Sequence, residues 1–110
     1  MAYDEELEMR LRLVFADRTD VEVKKMFGGL CFMISKHMCC GIVGDTLMAR
    51  VGPEQYAKCL SEKYAREMDF TGKAMKGMIY VAAAGLESDS ALSDWLEICT
   101  KFIETLPAKK

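Results

Sequence analysis

Between Lys24 and Val51, short runs of apolar, β-branched and sulfur-containing residues alternate with turn residues, a pattern that few folds can accommodate. The stretch reads Lys24-Lys25-Met26-Phe27-Gly28-Gly29-Leu30-Cys31-Phe32-Met33-Ile34, then a tip at Ser35-Lys36-His37. Met38-Cys39-Cys40-Gly41-Ile42-Val43 follows, then a turn at Gly44-Asp45 and a last run, Thr46-Leu47-Met48-Ala49-Arg50-Val51. Runs of this length bounded by Gly and turn residues predict an antiparallel meander. Gly44-Asp45 suits a two-residue hairpin because Gly takes the positive φ that the favoured turns need. Gly28-Gly29 marks a bulge or a close backbone approach where the sheet begins.

The flanking segments carry a different period. Tyr3 to about Arg18 reads as an amphipathic helix, with Leu7, Leu11, Val14 and Phe15 at helical spacing and acidic residues in the first turns. Val21–Lys24 is an extended lead-in to the meander. Gly52-Pro53 is a helix start, since Pro at the first helical position gives up an N–H that has no partner there anyway. The helix it opens runs to about Lys63, with Tyr56, Cys59, Leu60 and Tyr64 on its apolar side. Two short strands, 65–70 and 76–82, precede a loop in which Ser88, Asp89 and Ser90 can each cap a helix. The last helix ends before Pro107 and carries the cleanest helical periodicity: Leu92, Trp95, Leu96, Cys99, Phe102, Ile103 and Leu106. The predicted fold class is α+β, an antiparallel sheet covered on one face, in the order α-β-β-β-α-β-β-α. With 110 residues, the chain is expected to form one domain spanning 1–110.

Composition narrows the functional classes. A net charge of −2 provides no whole-domain field for nucleic acid or anionic lipid, so direct DNA binding by the domain alone is not expected. No apolar run approaches the ~18 residues that span a bilayer, and the acidic N-terminus lacks the features of a signal peptide. Five cysteines, an odd number, with no export signal, are expected to be reduced thiols in a cytoplasmic protein.

Three chemistries have candidate residues in the sequence. His37-Met38-Cys39-Cys40 is where metal-ligand types cluster, but zinc needs ligands converging from separated pairs. Adjacent Cys39 and Cys40 in a regular strand point to opposite faces, which predicts one buried thiol and one exposed thiol beside a tip histidine. No metal and no cofactor are expected. A thiol-dependent enzyme or redox sensor using Cys39 or Cys40 near His37 is the alternative to a binding function, although no third orienting group can be assigned. Gly28-Gly29 and Gly72-Lys73 match no phosphate-binding loop. The lysines and arginines of the sheet region, Lys24, Lys25, Lys36, Arg50, Lys73 and Lys76, either protect strand edges or contact a partner.

Four blocks in series are similar to the N-terminal domain of the TfoX/Sxy family: Lys25-Met26-Phe27-Gly28-Gly29, His37-Met38-Cys39-Cys40-Gly41, Met48-Ala49-Arg50-Val51-Gly52-Pro53, and Met68-Asp69-Phe70-Thr71-Gly72-Lys73-Ala74-Met75-Lys76-Gly77 with Tyr80-Val81. The resemblance runs from about Tyr3 to Pro107. It implies a fold of the kind shared with type III secretion chaperones, and a relation to competence regulators that act with the cyclic-AMP receptor protein. It implies no catalytic residue. The best-known members carry a second, C-terminal domain, and this chain is expected to be the stand-alone first domain. The expected function is therefore a non-enzymatic regulatory module that binds transcription machinery, RNA polymerase or the cyclic-AMP receptor protein. The contact residues expected from the resembling motifs are Lys25, Met26, Phe27, Arg50, Phe70 and Met75. The fold resemblance further implies a homodimer.

Overall fold

The computed structural model describes residues 4–26, 28–67 and 77–106. The first helix, α1 (Glu5–Val14), is capped by the Asp4 carboxylate, which accepts from the Glu6 and Leu7 amides. That bond and the acidic first turn stabilise the helix start. The helix is shorter than its apolar period implied: 15–17 form a turn, which leaves Val14 exposed while Phe15 is buried.

Four strands follow: β1 (Val21–Met26), β2 (Gly29–Ile34), β3 (His37–Val43) and β4 (Thr46–Arg50). The segment expected as a lead-in is thus part of a full strand, paired residue for residue from Val21↔Ile34 to Met26↔Gly29. Next come α2 (Pro53–Leu60), β5 (Ala65–Glu67), β6 (Met78–Val81), a 3-10 turn (Ala83–Leu86) and α3 (Asp89–Glu104). The sheet order is β1-β2-β3-β4-β6-β5, and every neighbouring pair is antiparallel. The expected strands at 65–70 and 76–82 survive as β5 and β6; residues 68–76 lie outside the described residues.

Each turn follows from its residues. Gly44 has φ +60° in the two-residue β3–β4 loop, the position that a type II′ hairpin reserves for glycine. The β2–β3 loop is less ordinary, because Ser35 and Lys36 both have positive φ, 50° and 71°. This is type I′ geometry without a glycine. Asp20 holds it: its carbonyl accepts from the Ser35 amide at 2.9 Å, and its carboxylate accepts from the Ser35 hydroxyl at 3.0 Å. Arg18 grips the same carboxylate with two N–H donors at 3.1 Å. At Gly29 the close approach expected from the Gly28-Gly29 pair is present, for a Cβ there would collide with the Ile42 carbonyl.

Strand parity divides the side chains. Leu30, Phe32, Cys40, Ile42, Leu47, Ala49, Ile79 and Val81 share one core with the buried faces of all three helices. The opposite face carries a smaller cluster of Cys31, Met48 and Met78, flanked by half-buried Met33, Met38, Val43 and Tyr80. The adaptable thioether thus serves mainly on the sheet face away from the helices. The α3 stripe Leu92, Leu96, Cys99 and Ile103 is fully inside, and burying a leucine or isoleucine side chain contributes about 1.5–3 kcal/mol. Arg10 ties α1 to the start of α3, donating to the Leu86 carbonyl at 2.6 Å and pairing with Asp89.

Relief of the left-handed strain gives a test. Lys36→Gly should stabilise the domain by about 0.5–1 kcal/mol, since a non-glycine residue there costs roughly 1–2 kcal/mol and glycine returns part of the gain as chain entropy. Thermal unfolding should show a midpoint raised by a few degrees. A lowered midpoint would mean that the Lys36 side chain makes a contact worth more than the strain.

Candidate functional site

The β2–β3 ladder changes register beside the first of the adjacent cysteines. Phe32 faces Cys40 while Met33 faces Met38, so Cys39 is an extra residue on β3. An inserted residue breaks the alternation of side chains and bends the strand. This overturns the expectation of one buried and one exposed thiol: Cys39 and Cys40 are both inaccessible and both belong to the helix-side core. Cys99 of α3 joins them there. His37 does not stay at an open tip either; it pairs with Ile34 as the first residue of β3 and is 7% exposed.

The three thiols lie in one core, and Cys40 and Cys99 are the groups that act most strongly on the charge of Cys39. Those two thiols, helped by the positive charges of Arg18 and Arg50, hold the Cys39 thiol down at about 5 against the cost of burial. Cys40 and Cys99 are pushed well above the ordinary thiol value, first by the neighbouring Cys39 and then by desolvation. Cys31 and Cys59, elsewhere in the molecule, are raised by burial. One thiolate stabilised by two neighbouring thiols is the outcome expected of coupled acids sharing a site. Among the described residues no group of three or more His, Cys, Asp or Glu is arranged to hold a metal ion.

Arg50 holds this corner together. Its guanidinium donates to the Met38 carbonyl at 3.3 Å, immediately before the inserted residue, and lies 5.3 Å from the Phe102 ring centroid. It therefore satisfies a carbonyl at the point where the ladder is interrupted and stacks on an aromatic face.

Phe102 leads to the second feature. Its ring lies against Gly52 at the start of α2, while at the other end Tyr64, just after α2, packs against Gly85 before α3. The two helices run antiparallel, and between them opens a groove of about 980 Å³. Cys59, Tyr64, Trp95, Ile98 and Phe102 supply its apolar lining. Glu62, Glu87 and Asp94 line the end near the start of α3, with Lys63 beside them, while Lys101 and Glu54 stand at the opposite end. Such a volume falls in the range of ligand-binding clefts, and Trp and Tyr are the side chains that most often dominate binding energy.

Of the residues expected from sequence to contact a partner, Lys25 and Arg50 lie apart on the sheet. Lys25 is exposed on β1, an edge of the sheet. Arg50 lies three strands away at the end of β4. Met26 closes β1, and Phe27, Phe70 and Met75 lie outside the described residues. Lys24 is within 4.0 Å of Glu22 on the same edge. Sequence reasoning missed the groove, although α3 carried the signal. Its apolar set, with Ile98 added, is wider than the sheet-facing stripe of Leu92, Leu96, Cys99 and Ile103 requires; the surplus, Trp95, Ile98 and Phe102, lines the groove.

The profile of the TfoX N-terminal domain matches residues 14–103, and the chain belongs to that family. No curated protein and no solved structure matches it significantly. No helix among the described residues is long and apolar enough to cross a membrane.

The thiol cluster predicts a pH dependence. Between about pH 5 and the unfolded thiol value of about 8.5, the folded protein binds fewer protons at Cys39 than the unfolded chain does. The Cys39 contribution to stability is therefore present above that window and is lost as pH falls through it. The 240 nm thiolate absorbance of the folded protein should drop on acidification from pH 7 to 4. Cys39→Ser should abolish the drop and Arg50→Met should move it to higher pH; an absorbance unaffected by either substitution would refute the assignment.

Proposed function

We propose that this domain is a non-enzymatic regulatory module that acts in the cytoplasm by binding a helical segment of a protein partner in the α2–α3 groove. The groove carries the reading. An apolar trough walled by two antiparallel helices accepts the apolar face of a third, and Trp95 and Tyr64 supply anchoring contacts. The carboxylates Glu62, Glu87 and Asp94 at one end favour a segment with basic residues there. Membership in the TfoX N-terminal domain family supports a competence-regulator-like role, with RNA polymerase or the cyclic-AMP receptor protein as the partner.

The test uses the domain immobilised on a biosensor with purified RNA polymerase and purified cyclic-AMP receptor protein in turn. One of them should bind, and Ile98→Glu, verified as folded by circular dichroism, should weaken that binding at least tenfold, about 1.4 kcal/mol. Lys25→Ala should leave it unchanged. Binding lost in Lys25→Ala but retained in Ile98→Glu would move the interface to the β1 edge, and the absence of binding to either protein would reject the transcriptional reading.

A second reading, self-association, is favoured by α1, where Met9 and Leu13 are 63% and 69% exposed one turn apart. A homodimer packed through this ridge predicts twice the 12.4 kDa chain mass by light scattering, falling to the chain mass in Met9→Lys/Leu13→Lys. A wild-type mass of a single chain removes the dimer.

A further inference from the structure

The sheet ends at β1, and among the described residues no other strand or loop backbone bonds to the outer side of that strand. The phase of the ladder fixes which groups that side presents. The Ser35 amide donates to the Asp20 carbonyl at 2.9 Å, and Ile34 closes the tight β2–β3 turn with His37. In an antiparallel pair, residues whose amide and carbonyl turn toward the partner alternate with residues whose groups turn away. With Asp20 turned toward β2, Val21 opposite Ile34 and Val23 opposite Phe32, the backbone groups of Val21, Val23 and Lys25 point outward from the sheet.

Side chains follow the same alternation. Val21 and Val23 pack, half-buried, against the helix-side core, and Lys25 shares their face. Glu22 and Lys24 occupy the other face, exposed and 4.0 Å apart. Charge on an edge strand ordinarily wards off further strands. Here both signs stand on one face, and a strand carrying the same pair in reverse order meets it charge for charge.

We propose that β1 is a docking edge for a second copy of this chain, the two β1 strands pairing antiparallel about Val23 so that Glu22 of each copy faces Lys24 of the other and two sheets become one. Two requirements select that register. Outward groups must face outward groups for bonds to form, which restricts a symmetric pair to axes through a residue of the strand. Like charges directly opposite one another are destabilising. An axis at Glu22 sets two carboxylates together, and an axis at Lys24 or Lys25 sets two ammonium groups together. Axes at Val21 and Met26 engage only the strand's ends. At Val23 both Glu22–Lys24 pairs are complementary, Val23 meets Val23, and Val21 exchanges backbone bonds with Lys25 of the other copy. A foreign strand would gain the backbone bonds without this two-fold match. The pairing uses neither the α2–α3 groove nor the α1 ridge and is tested apart from both.

The experiment follows the mass of the full chain by light scattering over a concentration series. The wild-type mass should rise from 12.4 kDa toward twice that value. Glu22→Lys and Lys24→Glu each oppose like charges in the proposed register and should weaken the association by roughly tenfold or more. An equimolar mixture of the two variants should recover it, because the signs are then complementary at both positions. Amide exchange of the wild-type protein should slow with rising concentration at Val21, Val23 and Lys25 and stay unchanged at Glu22 and Lys24, which β2 already protects. Both substituted side chains are exposed, so the variants retain the fold, and the exchange data decide on the wild-type chain alone.

A mass that stays at one chain across the series, a dimer indifferent to either substitution, or a mixture that fails to recover would each overturn the proposal. So would a dimer lost in Met9→Lys/Leu13→Lys with the β1 amides unprotected. Protection of those amides by an added protein, but not by more of the chain itself, would make the edge a site for a foreign strand and overturn the pairing as well.

Discussion

The packing of α3 on β3 and β4 is the constraint on which the rest of the molecule depends. Leu92, Leu96, Cys99 and Ile103 point inward along one side of the helix and meet Ile42, Leu47 and Ala49 of the sheet. That contact places the start of α3 where Arg10 can bond the Leu86 carbonyl, which fixes α1. It also sets Phe102 against Gly52, which fixes the start of α2. The same helix therefore seals a core on one side and lines an apolar groove on the other. A helix used on two sides needs an apolar stripe wider than a single buried face does, and the width of this one is its most informative property.

The inserted residue in β3 has a comparable reach. By shifting register at Cys39, it turns two neighbouring side chains toward one core and interrupts the ladder beside Met38. Arg50 fills the gap with a hydrogen bond to the Met38 carbonyl and stacks on Phe102. A local irregularity in one strand is thus linked to a groove residue through one guanidinium. Bulges commonly re-aim a side chain; here the re-aimed chain is a thiol brought into the core that also holds Cys40 and Cys99.

Much of the architecture was legible in the sequence because it is encoded by local rules. The Gly44-Asp45 hairpin, the Pro53 helix start, the Ser88 cap and the α3 period each rest on a few adjacent residues, and each is present. The β1 strand was partly hidden, since an edge strand bearing Glu22, Lys24 and Lys25 has little apolar alternation to reveal it. The type I′ turn at Ser35-Lys36 was hidden as well, because it is held by Asp20 and Arg18 rather than by glycine. The thiol cluster was not legible, for strict alternation predicts opposite faces for Cys39 and Cys40, and only the paired strand shows the extra residue. Family membership was legible from the order of the motifs. The groove lay outside any motif, and its residues came from two helices separated by β5 and β6.

On the function proposed above, α3 serves both the core and a partner-binding groove. The most direct measurement is an amide and methyl NMR map of the domain, with and without an unlabelled protein partner. Shifts are expected to centre on Trp95, Ile98, Phe102 and the facing side of α2, with smaller shifts passed to Arg50 and none along β1. Shifts centred on Lys24 and Lys25, with α3 unperturbed, would contradict it and leave α3 a helix of the core alone.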